Sequence, residues 1–144
     1  MTTTDQQALI DALSAEYAAV YAYGVIAAYA NHDRDKLVAE YTASHRARRD
    51  ATIDTLKASG ATVPEPAAAY TSPVPVTDPI PAAKLAVTVE SDTAAAWRSV
   101  VERAGDPDLR RTGIDALTEC AVRLATWQSI LGTSPVTVAF PGQA

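Results

Sequence analysis

"TVPEPAAAYTSPVPVTDPIP", residues 62–81, is the stretch of sequence that decides the fold. It holds six of the nine prolines in a chain of 144 residues. Because proline fixes φ and lacks a backbone N–H, this stretch cannot form a regular helix and favours an extended, semi-rigid path. Such a path of about 20 residues spans roughly 62 Å, whereas a helix of about 26 residues spans only roughly 39 Å. We therefore interpret residues 62–81 as a long crossover connection rather than as a linker between two separate hairpins.

Helical patterns flank this crossover, two on each side. Thr4 and Gln7 have the spacing of a capping box, Gly60 suits the end of a helix, and Asp106-Pro107 suits a helix start. Short connections within each pair predict antiparallel hairpins, and the crossover would let helix 3 run parallel to helix 2. We expect an all-α four-helix bundle that forms one domain over residues 1–144, with an extended tail from about residue 133 and a β-prone segment, "VTVAF", within it. The predicted helices cover about 4–30, 33–59, 81–104 and 106–132.

Composition and charge narrow the range of functions. Hydrophobic residues make up 48% of the chain and the formal net charge is −5, so the sequence is globular and disfavours a nucleic-acid partner. The single cysteine, Cys120, excludes an internal disulfide and fits a reducing compartment. We find neither a signal-peptide pattern at the N-terminus nor an uninterrupted apolar run of membrane-spanning length. The expectation is a soluble cytoplasmic protein that does not interact with membranes.

Charged residues interrupt the apolar stripes of the helices. In helix 1, the stripe of Leu9, Leu13, Glu16, Val20, Gly24 and Ala27 includes a carboxylate within the apolar stretch "EYAAVYAYG" (16–24). His45 and Arg48 lie in the stripe of helix 2, and Glu90 lies in that of helix 3. Glu119 of helix 4 lies at the edge of its stripe, near Arg123. Three helices therefore bring a polar group inward near mid-length, and helix 4 adds one at the edge.

These groups should meet one another or a metal ion, because an unpaired buried charge costs several kcal/mol. We expect Glu16 to meet Arg48 and His45 across the interface of helices 1 and 2, with Glu90 completing the cluster and Glu119 close to it. On this interpretation the substitution Arg48→Leu destabilises the fold strongly, since it leaves carboxylates close together without a compensating cation.

The order of hairpin, crossover and hairpin, with a glutamate in helix 1 and another in helix 3, resembles the ferritin-like fold. More closely, "EYAAVYAYG" and "HRARRD" (45–50) resemble an uncharacterised ferritin-like family of actinobacteria. The resemblance implies two metal-binding glutamates, matched by Glu16 and Glu90, and two Glu-x-x-His motifs. Neither motif is present: the residue three after Glu119 is Val122, and helix 2 offers His45 and Arg48, of which a guanidinium cannot ligate a metal.

Two functional interpretations follow. In the first, which we favour, buried ion pairs replace a lost metal site, there is no cofactor, and the chain is a non-catalytic interaction or structural protein. In the second, Glu16, His45, Glu90 and Glu119 bind iron or manganese in an oxidoreductase. Iron storage is a further possibility that would also need a large cage.

Helix 1 also has apolar residues outside its core stripe. They include Tyr21, Val25, Ala28 and Tyr29. A second apolar face on a helix usually contacts a partner, so we expect a homodimer formed through helix 1 or helix 2, to which the crossover or the tail can contribute.

Overall fold

The structure is a computed structural model that describes residues 1–143. Its four long helices are α1 (Thr3–Tyr29), α2 (Asp35–Ala58), α3 (Pro79–Arg103) and α4 (Pro107–Ile130), and a short 3₁₀ helix, His32–Arg34, precedes α2. No strand occurs among these residues, which confirms the all-α prediction and is consistent with a four-helix bundle. The β-prone segment 136–140 is bent, irregular backbone instead, because no neighbouring strand is available to pair with it.

The start of α1 differs from the predicted capping box at Thr4 and Gln7. The cap is Thr2, whose side-chain oxygen accepts from the N–H of Asp5, while the Asp5 carboxylate accepts from the N–H of Thr2. Asp5 is buried and also accepts a hydrogen bond of 2.8 Å from the N–H of Gly105, in the turn between α3 and α4. This tertiary contact favours the earlier cap, because it satisfies a second backbone donor with the same carboxylate.

Contacts between the helices give their relative directions. Gln6, near the start of α1, donates to the carbonyl of Ser59 at the end of α2, so the two helices are antiparallel. His45 of α2 contacts Glu90 of α3. Further along both helices, Arg48 of α2 lies over the ring of Trp97 of α3, so α2 and α3 run parallel. The packed pairs are α1 with α2, α1 with α3, and α3 with α4, whereas α2 and α4 approach each other less closely.

Residues 59–78, between α2 and α3, have no helix or strand. Tyr17 of α1 donates from its hydroxyl to the carbonyl of Pro64 at 2.9 Å. Tyr70 packs on Tyr21 of α1, with 5.5 Å between the ring centroids. The connecting segment therefore contacts α1, and part of the second apolar face of α1 is in contact with the same chain.

The buried face of α1 differs from the predicted stripe in its second half. Gly24 and Ala27 are exposed and Val20 is only partly buried, whereas Ala19, Tyr23 and Ile26 are buried. The helix is apolar on most of its circumference, so its periodicity does not determine which residues face the core. The packing of α1 against α2 and α3 decides this instead.

The hydrophobic core has two parts. One lies toward the start of α1 and includes Leu9, Leu13, Leu56 and Trp97. The other lies toward the end of α1 and is built from aromatic and aliphatic residues of all four helices: Tyr23, Ile26, Val38, Leu85, Val89 and Trp127. Glu16, His45 and Glu90 are fully buried between the ends of these two parts, so polar residues occupy the middle of the bundle.

The tail after α4 returns to the bundle. Gly142 has a φ of +80° and lies so close to α3 that an added Cβ would be 2.7 Å from the carbonyl oxygen of Ala94. Glycine is therefore required at this contact.

Among the described residues, α1 is the one helix that is long and apolar enough to cross a membrane by length and composition. Buried helices of soluble proteins and N-terminal signal sequences pass the same test, so the finding is weak evidence.

Candidate functional site

A cluster of hydrogen-bonded polar side chains occupies the centre of the bundle. Glu16 on α1 is fully buried. One of its carboxylate oxygens accepts a hydrogen bond of 2.8 Å from the indole N–H of Trp97 on α3, and the other lies 2.6 Å from Nδ1 of His45 on α2. Both oxygens of this carboxylate are thus satisfied by neighbouring helices.

His45 links the two buried carboxylates. Its Nδ1 faces Glu16, and its Nε2 lies 2.6 Å from Oε1 of Glu90 on α3. Burial lowers the pKa of this imidazole, but the hydrogen bonds and charges of the two carboxylates outweigh burial and raise the pKa from 6.5 to about 9. The ring is therefore an imidazolium at neutral pH, in which both nitrogens donate.

Glu90 receives three further hydrogen bonds. Nε of Arg123 on α4 lies 2.9 and 3.0 Å from its two oxygens, and the hydroxyl of Tyr23 donates to Oε1 at 3.1 Å. Tyr23 in turn accepts a hydrogen bond of 3.0 Å from the indole N–H of Trp127. Burial lowers the pKa of the Arg123 guanidinium, but the charges of its neighbours and its hydrogen bond with Glu90 together raise the pKa by more, so Arg123 stays protonated.

The formal charges of this central cluster cancel. Two carboxylates, Glu16 and Glu90, face one imidazolium, His45, and one guanidinium, Arg123. In residues 1–143 the one buried side-chain polar atom without a hydrogen-bond partner is Oε1 of Gln128, which does not belong to the cluster. The cluster therefore satisfies the two conditions that make buried charges tolerable, which are pairing and complete hydrogen bonding.

Arg48 and Glu119 lie outside this cluster, contrary to our expectation that Arg48 pairs with Glu16. Arg48 donates to Glu119 at 2.9 Å, and their side chains are 20% and 49% exposed. Because α2 and α4 are less closely packed, the long Arg48 side chain extends over Trp97 toward solvent, where its charge keeps part of its hydration. Glu119 also lies 4.0 Å from Arg123, at the edge of the cluster.

The sequence interpretation missed Arg123 as the buried cation. Arg123 follows Cys120 by three positions and precedes Trp127 by four, so it belongs to the buried stripe of α4 and is only 7% exposed. That spacing makes Arg123 a candidate, as the stripe of α2 does for Arg48, but it does not choose between the two arginines. Tyr23 was missed because the stripe of α1 was traced through Gly24.

The cluster does not provide the donors that a two-metal carboxylate site needs. A metal-binding imidazole must offer a lone pair, but both His45 nitrogens are hydrogen-bonded to carboxylates. Arg123 places a fixed positive charge against Glu90, where a cation would have to bind. Within the described part of the chain, no three His, Cys, Asp or Glu side chains form a group that could hold a metal ion.

Cys120 on α4 is buried beside the central cluster. Burial and the charge of Glu90 raise the pKa of its thiol to about 12, although a guanidinium nitrogen of Arg123 lies 3.4 Å from the sulfur. A thiol with so high a pKa is not a nucleophile at neutral pH.

Comparisons with known proteins identify a family and a similar solved structure. A family model described as "Domain of unknown function (DUF4439)" matches residues 8–144. The crystal structure of a conserved hypothetical protein, rv2844, from Mycobacterium tuberculosis is similar to this chain, with 45% identity and a TM-score of 0.88, over 96% of this chain and 98% of that chain. A comparison with functionally curated proteins found no match. The chain therefore belongs to the DUF4439 family of domains of unknown function.

Proposed function

We propose that this chain is a ferritin-like bundle in which a charge-neutral cluster of side chains takes the place of a metal centre, and that it acts as a non-catalytic binding or structural protein. The helix directions and neighbours support the ferritin-like assignment: α1 packs against α2 and α3, and α2 runs parallel to α3. Glu16 and Glu90 extend into the centre from α1 and α3, as the glutamates of that fold do.

The observation that carries this proposal is the position of Arg123. Its guanidinium contacts both oxygens of Glu90, the residue that would otherwise be available to a metal ion. His45 supplies the second positive charge between Glu16 and Glu90. At neutral pH these two cations neutralise the two carboxylates, and the centre has no net negative charge left to attract a divalent ion.

Metal analysis tests the proposal. The protein is produced with added iron(II) or manganese(II), purified without chelators and analysed for bound metal, alongside a Glu16→Gln variant as the matched control. We expect neither protein to retain stoichiometric metal. Stoichiometric metal in the parent that is lost in Glu16→Gln would contradict the proposal and favour the alternative, a metal-binding oxidoreductase.

A calorimetric titration with manganese(II) extends the test to weak binding. The parent and the variant Arg123→Gln are compared, since the variant lacks the guanidinium that contacts Glu90. Absence of binding heat in the parent is the expected result. Saturable binding to the parent at the central carboxylates would overturn the proposal.

A further inference from the structure

A cavity of about 340 Å³ lies between α1, α3 and the segment that connects α2 to α3. Small side chains of α1, including Ala15, Ala18 and Ala22, form one wall, and Leu85 and Val89 of α3 form another. Residues 70–73 of the connecting segment also line it. None of the central cluster residues lines this cavity, and its volume lies in the range typical of small-molecule sites.

Two aromatic rings border the cavity. Tyr21 of α1 and Tyr70 of the connecting segment lie 5.5 Å apart between ring centroids, with an angle of 56° between their planes. Tyr21 is 42% exposed, so its ring is accessible. Aromatic ring faces attract organic cations through their quadrupole, and pairs of such rings are a recurrent element of ammonium sites.

Asp92 is the one charged residue among those that line the cavity. Its carboxylate has neither a hydrogen bond nor an ion pair with any residue between 1 and 143. Asp92 is an exposed residue, and partial loss of hydration beside the cavity raises the pKa of its carboxyl group above the ordinary value. A cation bound beside it would compensate that loss, so the charge of the cavity complements a positively charged ligand.

We propose that this cavity binds an organic ammonium ion with an apolar body. The ammonium group lies beside the Asp92 carboxylate and the rings of Tyr21 and Tyr70, and the hydrocarbon part packs against the alanine, leucine and valine side chains. A neutral apolar molecule cannot form the charge interaction with Asp92, and the Asp92 carboxylate repels an organic anion. This site is separate from the central cluster and does not rest on the proposed function.

The test uses hexyltrimethylammonium as the probe, with 1-hexanol and hexanoate as the neutral and anionic comparisons. Binding is measured by calorimetry and located by amide chemical shifts of the labelled full chain. We expect the cation to shift residues 15–25, 70–73 and 85–92, and to bind at least roughly fivefold more tightly than 1-hexanol. Hexanoate should not bind.

Two substitutions test whether the Asp92 carboxylate causes the preference for a cation. Asp92→Asn should weaken binding of the cation roughly fivefold and leave binding of 1-hexanol unchanged. Asp115→Asn is the matched control, since Asp115 is an exposed carboxylate of α4 that does not line the cavity. Circular dichroism checks that both variants are folded.

Three outcomes would overturn the proposal. The first is equal affinity for the cation and 1-hexanol, which would make the cavity merely apolar. The second is an equal effect of Asp92→Asn and Asp115→Asn, which would indicate a long-range charge effect. The third is a set of shifts at these residues that follows protein concentration rather than probe, which would indicate that a second copy of the chain covers the cavity.

Discussion

Arg123 on α4 contacts both carboxylate oxygens of Glu90 on α3, with its Nε at 2.9 and 3.0 Å. This pair joins the two helices of the second hairpin at the centre of the bundle, and His45 joins the same carboxylate to α2. All four helices are therefore connected through one charged side chain from each: Glu16, His45, Glu90 and Arg123. The stability of the fold should depend on this connected set rather than on the exposed ion pairs.

The first prediction compares Arg48 of α2 with Arg123 of α4. Arg123→Leu should lower the free energy of unfolding by about 3–5 kcal/mol, because it leaves the buried Glu90 with too few cationic partners. Contrary to the strong loss expected from the sequence, Arg48→Leu should lower it by about 1 kcal/mol or less, since the Arg48–Glu119 pair is partly exposed. Urea unfolding of the parent and both variants measures the difference. Equal losses in the two variants would contradict our assignment of Arg123 as the buried cation.

The second prediction concerns the protonation of His45. The substitution His32→Asn removes the exposed histidine and leaves His45 as the only one, so its ring resonances can be followed through a pH titration. We expect a midpoint near the pKa of about 9. A midpoint at or below 6.5 would mean that His45 is neutral at physiological pH and that the central charges do not cancel.

The third prediction follows from the direction in which folding shifts the pKa of His45. The pKa of His45 is raised on folding, so its protonation stabilises the fold fully below pH 6.5, and this contribution is lost as the pH rises through about 9. The loss should be on the order of 3 kcal/mol in the parent. Urea unfolding at pH 6.5 to 9.5 measures it, and His45→Gln should show a flatter dependence because it lacks the titrating group. Parallel curves for the two proteins would refute the link.

The fourth prediction compares two helical glycines. An added Cβ at Gly24, in the exposed face of α1, meets nothing within 4 Å, so Gly24→Ala should stabilise the protein by up to about 1 kcal/mol. An added Cβ at Gly113 would lie 3.0 Å from a methyl of Val101 and 3.3 Å from its backbone nitrogen. Gly113→Ala should therefore destabilise by about 1–3 kcal/mol despite its better helix propensity. Thermal unfolding distinguishes the two, and a gain in both would show that α3 and α4 can separate at no cost.

The fifth prediction is the homodimer expected from the second apolar face of α1. On that face Tyr21, which contacts Tyr70, and Tyr29 are each 42% exposed, and Ala28 is exposed as well. Light scattering at micromolar concentration should give twice the chain mass, and Tyr29→Ser should shift the protein toward monomer. Val122→Ser, at an exposed residue of α4, is the matched control. A monomeric mass for the parent would refute the dimer.

The sequence was sufficient to predict the all-α class, because capping residues and helical periodicity are local properties of the chain. The start of α4 at Asp106-Pro107 is an example, since the Asp106 side chain accepts from the N–H groups of the first turn as predicted. The inward positions of Glu16, His45 and Glu90 could also be read from helical spacing, because each lies three or four positions from apolar neighbours.

Only the tertiary structure decided which cation is buried with these carboxylates. Arg48 and Arg123 both lie on or beside an apolar stripe, and each has a side chain long enough to turn inward or toward solvent. The close packing of α3 on α4 directs Arg123 to Glu90, whereas the wider separation of α2 and α4 leaves Arg48 at the surface with Glu119. Helical periodicity specifies a direction around one helix, but the distance to the next helix depends on side chains from the whole core. That distance determines whether a charge is buried.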